Sequence, residues 1–129
     1  MTMNSSELER AKALYLHIEN HGFDIEQLLQ PGYEAILLHS NSTIITGNPA
    51  AASMTGYAVA EMTGINAWTL FPPQSAKILM QKLTEGTEEP YQVLARRRNG
   101  QIIRIEIKGI NFHLHEEPVR AVLLKQISR

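Results

Sequence analysis

From Gln101 to Lys108 the chain reads QIIRIEIK, in which Ile103, Ile105 and Ile107 alternate with Arg104, Glu106 and Lys108. Successive side chains of a strand point to opposite faces, so this stretch requires a sheet with one face on a core and the other in water. It extends into QIIRIEIKGINFHL and is preceded by a second run, EPYQVLARRR. Asn99-Gly100 joins the two and is the strongest short hairpin signal a sequence can carry. A third run, VRAVLLKQIS, follows the turn HEEP, so the chain closes with three strands.

Upstream, YEAILLHS and STIITGN are short aliphatic and β-branched runs, with Ser40-Asn41 expected as the turn of a hairpin. Asn48-Pro49 opens a helix, NPAAASMTGY, with Asn48 as cap and Pro49 at the first helical position; Gly56 ends it. VAEMTG stops at Gly64, and INAWTLF reads as one irregular turn. Pro72-Pro73 then starts QSAKILMQKLTEG, the longest helix of the middle region, which closes on Gly86. Before all this lies a helical lead-in. Ser5 or Ser6 can cap it, Glu7 and Glu9 suit its first turn, and Leu8, Ala11, Leu14, Tyr15 and Ile18 recur at helical spacing. After a break at His21-Gly22, Phe23, Ile25, Leu28 and Leu29 form a short apolar segment stopped by Pro31-Gly32. The expected organisation is a lead-in over 1–32 and an α+β core over 33–129. A chain of 129 residues has room for one such core.

Charge and composition exclude several functions. With 12 basic and 13 acidic residues, the net charge of -1 offers no field for a phosphate backbone, so no direct nucleic-acid partner is expected. There is no cysteine, which removes disulfides, thiolate metal sites and cysteine nucleophiles and agrees with a reducing, cytoplasmic setting. No basic segment followed by an apolar one opens the chain, and no run of about 18 apolar residues occurs.

The ordered set of elements from Tyr33 to Ser128 resembles the PAS family. The carrying residues are AILLHSNSTIITGNPAAASMTGY at Ala35 to Tyr57, then Glu61-Met62-Thr63-Gly64, the hairpin Arg97-Arg98-Asn99-Gly100, and Glu106 in the following strand. The family's usual closing Asp-Ile-Thr is replaced by Gln126-Ile127-Ser128. The resemblance implies a five-stranded antiparallel sheet with short helices on one face and a pocket between them. Wall residues expected on that basis are Ile36, Leu38, Met54, Trp68, Ile78, Met80, Tyr91, Val93, Ile105 and Leu124. Each also has a plainer reading, since apolar positions at strand or helix period usually pack as core. Trp68, the single tryptophan, could also offer stacking area and an N–H donor to a planar ligand. Asn48, Gly56, Gly64, Glu61, Asn99 and Gly100 carry scaffold roles, with Glu61 a partner for one of the arginines from Arg96 to Arg98 across the pocket mouth. That arginine run otherwise reads as a solvated hairpin end.

His113 and His115 lie two apart and could share a metal with Glu116 or Glu117, but a loose surface cluster accounts for them without one; no metal site is expected. The resemblance places a haem ligand on the long middle helix, where 72–85 holds no histidine, so haem is disfavoured, with His39 the remaining candidate. A cysteinyl-flavin photoadduct is excluded, and non-covalent flavin stays open. The function implied is a non-catalytic sensory module that binds a small molecule and controls an attached effector, such as a histidine kinase, a cyclic-di-nucleotide enzyme or a transcription regulator. Leu8, Ala11, Leu14, Tyr15 and Ile18 would join it into a parallel homodimer, although the same stripe could cover the chain's own sheet. Two other readings stand beside it: a flavin or haem redox or gas sensor, and a small α+β enzyme. The latter needs a carboxylate or histidine inside an apolar pocket, and none stands out. The end at Arg129, directly after the last strand, suggests a piece of a longer protein.

Overall fold

The computed structural model describes residues 5–128. Five strands, β1 (Ala35–Ser40), β2 (Thr43–Gly47), β3 (Tyr91–Arg96), β4 (Ile102–Leu114) and β5 (Glu117–Ser128), form one antiparallel sheet in the order β2-β1-β5-β4-β3. The last strand is thus the central one, and it alone joins the N-terminal hairpin to the C-terminal one. Helix α1 (Ser5–His21) and a 3-10 turn at Ile25–Leu28 cover one face of the sheet. On the other lie α2 (Pro49–Thr55), α3 (Val59–Met62), a 3-10 turn at Ala67–Leu70 and α4 (Pro73–Glu85). With both faces covered, β1 and β5 are apolar on both sides, which explains the continuous runs AILL and AVLL. Arg104 in β4 faces water, and here the alternation is clean.

The hairpins differ from expectation in detail. Ser40 pairs with Thr43 inside the ladder, so the first turn is Asn41-Ser42, not Ser40-Asn41. Both turn residues have positive φ, 50° and 68°, the conformation that matches the twist of the flanking strands. His115 and Glu116 do the same at 51° and 64°, and β5 therefore begins at Glu117. Between β3 and β4 only Gly100 is left-handed, at 91°, so Asn99-Gly100 is not a two-residue turn. The Arg97 N–H donates to the Gln101 carbonyl at 2.8 Å, which closes a three-residue loop with glycine at its left-handed position. Asn99 contributes its side chain instead, accepting from the Gln101 N–H at 2.9 Å.

Asn48 is buried and uses its whole amide. Its Oδ1 accepts from the N–H groups of Ala51 at 2.9 Å and Ile36 at 3.2 Å. Its Nδ2 donates to the Glu34 carbonyl at 2.9 Å and to Glu26 Oε1 at 3.1 Å. One side chain therefore caps α2, anchors β1 and holds the lead-in. Gly56 ends α2 at φ 83°, and Gly64 at φ 93° turns the chain back along β2. There the Ile44 N–H donates to the Ile65 carbonyl at 2.8 Å and the Gly64 N–H to the Ile44 carbonyl at 2.7 Å, so this sheet edge is covered. At the opposite edge Ser75 Oγ donates to the Leu94 carbonyl and accepts from its N–H, at 2.7 and 3.1 Å, which fixes the rotation of α4 against β3. Helix α1 already includes Ser6, and the side chain of Ser5 lies outside the described ones, as does Arg129.

Candidate functional site

An internal cavity of about 70 Å³ lies between the sheet and the α2-to-α4 layer. Met54, Trp68, Tyr91, Ile105 and Leu124 are in its wall, together with Leu37, Ile44, Phe71, Leu79, Ile107 and Val122. Val93 is buried in the surrounding core but does not reach the cavity. Ile36 and Leu38 are corrected: they face the opposite side, against Leu14 and Ile18 of α1, and Leu37 and His39 take the cavity side. A strand that is apolar on both faces gives no alternation from which its inward side could be read. Ile78 and Met80 are also corrected, being 40% and 56% exposed. Only one residue of the consecutive Ile-Leu-Met run can face inward. Ser75 decides which, since positions four and eight further along its face are Leu79 and Leu83.

One end of the cavity is polar, and neither of its central residues is apparent from periodicity. Arg120 lies on the same face of β5 as Val122 and Leu124, and it is 7% exposed. Its Nη1 donates to Asn111 Oδ1 at 2.9 Å and its Nη2 to the Thr87 carbonyl at 3.2 Å. The guanidinium reaches them by crossing Gly109, where a Cβ would stand 2.0 Å from Nη2 and 2.2 Å from Cζ. An isolated glycine in a strand is the sequence sign of such a close approach. Beside Arg120, His39 Nδ1 accepts from the Ser42 N–H at 3.3 Å. Burial, reinforced by the Arg120 charge, pushes this imidazole down to about 4, so it is neutral near pH 7. Burial raises the Tyr91 phenol, and Arg120, its hydrogen-bond partner, works against that rise.

At the other end Arg98 pairs with Glu61, Nη1 lying 2.7 and 2.9 Å from the two carboxylate oxygens, and its guanidinium sits 5.2 Å from the centre of the Tyr57 ring. The hydrogen bond from the Ala58 N–H, followed by the Arg98 contact, holds the Glu61 carboxyl below its usual range. Arg97 donates to the Ser53 carbonyl at 3.2 Å, and the Arg98 N–H to that of Thr55 at 2.8 Å. The arginine run thus ties the β3–β4 loop to α2 and α3. Glu106 is on the solvent side, where it accepts from the Tyr33 hydroxyl at 2.6 Å; burial and this bond push Tyr33 up to about 12.

His115 turns away to meet His17, with ring centres 4.4 Å apart, and His17 stacks on His21 at 4.1 Å. Among the described residues no group of three or more His, Asp or Glu side chains is placed to hold a metal. The lead-in stripe points inward: Ala11, Leu14 and Ile18 are buried within this chain, Tyr15 is partly buried, and Leu8 packs on Gly64. The stripe therefore packs against its own chain, with Leu8 and Tyr15 only partly covered. A flavin or haem does not fit the cavity as it stands, because sites for ligands of ordinary drug size run about 300–1,000 Å³.

Among the described residues no helix is long and apolar enough to cross a membrane. No curated protein matches the sequence. Solved structures do match the fold. The PAS domain of an HTR-like protein from Haloarcula marismortui gives a TM-score of 0.65 at 21% identity, with 90% of this chain and 99% of that one covered. A PAS domain from a two-component sensor histidine kinase gives 0.63 at 17%, covering 95% and 100%. A light-oxygen-voltage domain studied with a flavin analogue gives 0.67 at 17%, covering 85% and 89%. At such identities the likeness concerns fold alone, but the family model described as PAS domain matches residues 34–129. By that match, and by the sheet order and cavity described above, this chain belongs to the PAS domain family.

Proposed function

We propose that this chain is a non-catalytic sensory module in which a small molecule occupies the cavity and the sheet relays its presence to α1, and so to an attached effector. The observation that carries the reading is the position of the cavity and α1 on opposite faces of the same two strands. Leu37 and Val122 line the cavity, while their chain neighbours Leu38 and Leu123 pack in the core beneath α1. A molecule that spreads β1 from β5 cannot move the first pair without moving the second, because close-packed side chains transmit displacement. Such a ligand shifts the α1 equilibrium only by its differential affinity for the two packings. Among the described residues no carboxylate lines the cavity, and its histidine is pushed down to about 4, far from the neutral range that suits a general acid or base, which supports binding over acid–base catalysis. The relay runs within one chain and needs no dimer through the lead-in stripe.

Native mass spectrometry of the purified chain tests occupancy, and the fluorescence of Trp68 reports entry of added ligands. Amide exchange of α1 with and without bound ligand then tests the relay. A retained or added molecule that changes α1 exchange is the expected result. Binding that leaves α1 exchange unchanged would refute the relay, and a cavity that takes no small molecule would refute the sensory reading itself.

A further inference from the structure

Arg120 is a buried cation whose contacts are all neutral. The ion pairs among the described residues are Arg10–Glu117, Lys82–Glu85, Arg98–Glu61 and Lys125–Glu106, and none includes it. Glu88, the chain neighbour of Thr87, accepts from the Asn111 N–H at 3.0 Å. Asn111, Thr87 and Tyr91 supply oxygen acceptors but no charge. A charge taken out of water is ordinarily paired, because neutral acceptors replace only part of its hydration. Here Arg120 is in the wall of a cavity whose surface is almost wholly apolar, and its guanidinium lies over Gly109, which is bare of a side chain. An arginine fork in such a place is the complement of a carboxylate.

We infer that the molecule this cavity takes is a short-chain carboxylate, its head paired with Arg120 and its apolar body against Leu37, Ile107 and Val122. The inference rests on the sensory reading above and adds the ligand's chemical class to it. The size follows from the volume. About 70 Å³ is roughly half of the ~150 Å³ cavity that accommodates benzene, so the whole ligand, head included, is smaller than benzene and of the size of acetate.

Acetate and its neutral near-isostere acetamide are the probes, titrated into the whole chain at constant ionic strength and followed by Trp68 fluorescence and backbone amide shifts. Acetate is expected to bind at least about tenfold more tightly than acetamide, the range of a charge-assisted pair. Arg120→Gln is expected to bring the two level, and Arg120→Lys to fall between. Arg104→Gln, on the solvent face of β4, is expected to leave the preference unchanged. Should Arg120→Gln fail to fold, the comparison of the two probes on the parent chain decides alone. Equal binding of acetate and acetamide by the parent overturns the inference while leaving a ligand-binding cavity. Retention of the preference in Arg120→Gln, or its loss in Arg104→Gln, overturns the assignment to Arg120. Binding of neither probe overturns the inference, and only the further absence of any small-molecule occupant would remove the sensory reading with it.

Discussion

The packing of Arg120 over Gly109 makes a single methyl group decisive. In Gly109→Ala the new Cβ would stand 2.0, 2.2 and 2.6 Å from Nη2, Cζ and Nε, so it takes the space of the guanidinium, the movable end of the Arg120 side chain. The side chain must leave, and with it go the bonds to Asn111 at 2.9 Å and Thr87 at 3.2 Å. Hydrogen bonds from a charged donor contribute about 1.5–3 kcal/mol each, and the lower figure applies because the displaced cation regains water. Against a loss of about 3 kcal/mol stands a gain of about 0.5–1 kcal/mol from replacing glycine in a strand interior, a position without positive φ. The net expectation is a destabilisation of about 2–2.5 kcal/mol.

A double-mutant cycle isolates the cause. In Arg120→Ala the obstruction is gone, and Gly109→Ala should be neutral or stabilising by up to about 1 kcal/mol. Urea denaturation of the four chains, with equal slopes, should therefore give a coupling energy of about 3 kcal/mol between residues 109 and 120. Additive effects, or a Gly109→Ala chain as stable as the parent, would refute the packing on which the polar end of the cavity depends.

His39 supplies a pH dependence. Its folded value, about 4, lies below the usual 6.5, so between these values the unfolded chain binds the extra proton. Stability is complete above about pH 6.5 and falls as pH drops toward 4, by roughly 3 kcal/mol at most at about 1.4 kcal/mol per unit. His17 is also lowered and contributes in the same direction, so the comparison is denaturation at pH 7 and pH 5 for parent and His39→Leu, the variant losing most of the slope. Asn48→Ala removes a helix cap and leaves the buried Ile36 N–H without its acceptor, and should cost about 2–4 kcal/mol in denaturant titration. In α4, Leu79→Ala should cost about 2–5 kcal/mol, whereas Met80→Gln should stay within about 0.5 kcal/mol; the reverse order would mean that the helix faces the other way.

What could be read from sequence, and what could not, divides along the coverage of the sheet. In β4 the outward residues Arg104, Glu106 and Lys108 have no helix over them, and the inward isoleucines could be identified by alternation alone. β1 and β5 lie between two layers, so Ile36 and Leu37 are equally apolar and equally buried, and nothing local distinguishes the one facing the cavity. The missing information sits in the turns. Once His115-Glu116 is recognised as a two-residue turn, Leu114 must pair with Glu117, and counting back along both strands sets Asn111 opposite Arg120 and Gly109 opposite Val122. Arginine, asparagine and glycine then fall on one face, the face of Ile103, Ile105 and Ile107. The charge within VRAVLL thus ceases to be a polar interruption of a core strand, because its position opposite a glycine is what allows a buried cation to reach the cavity. Register is the step between composition and chemistry here: a turn displaced by one residue would move Arg120 to the α1 face and leave the cavity without its only buried charge.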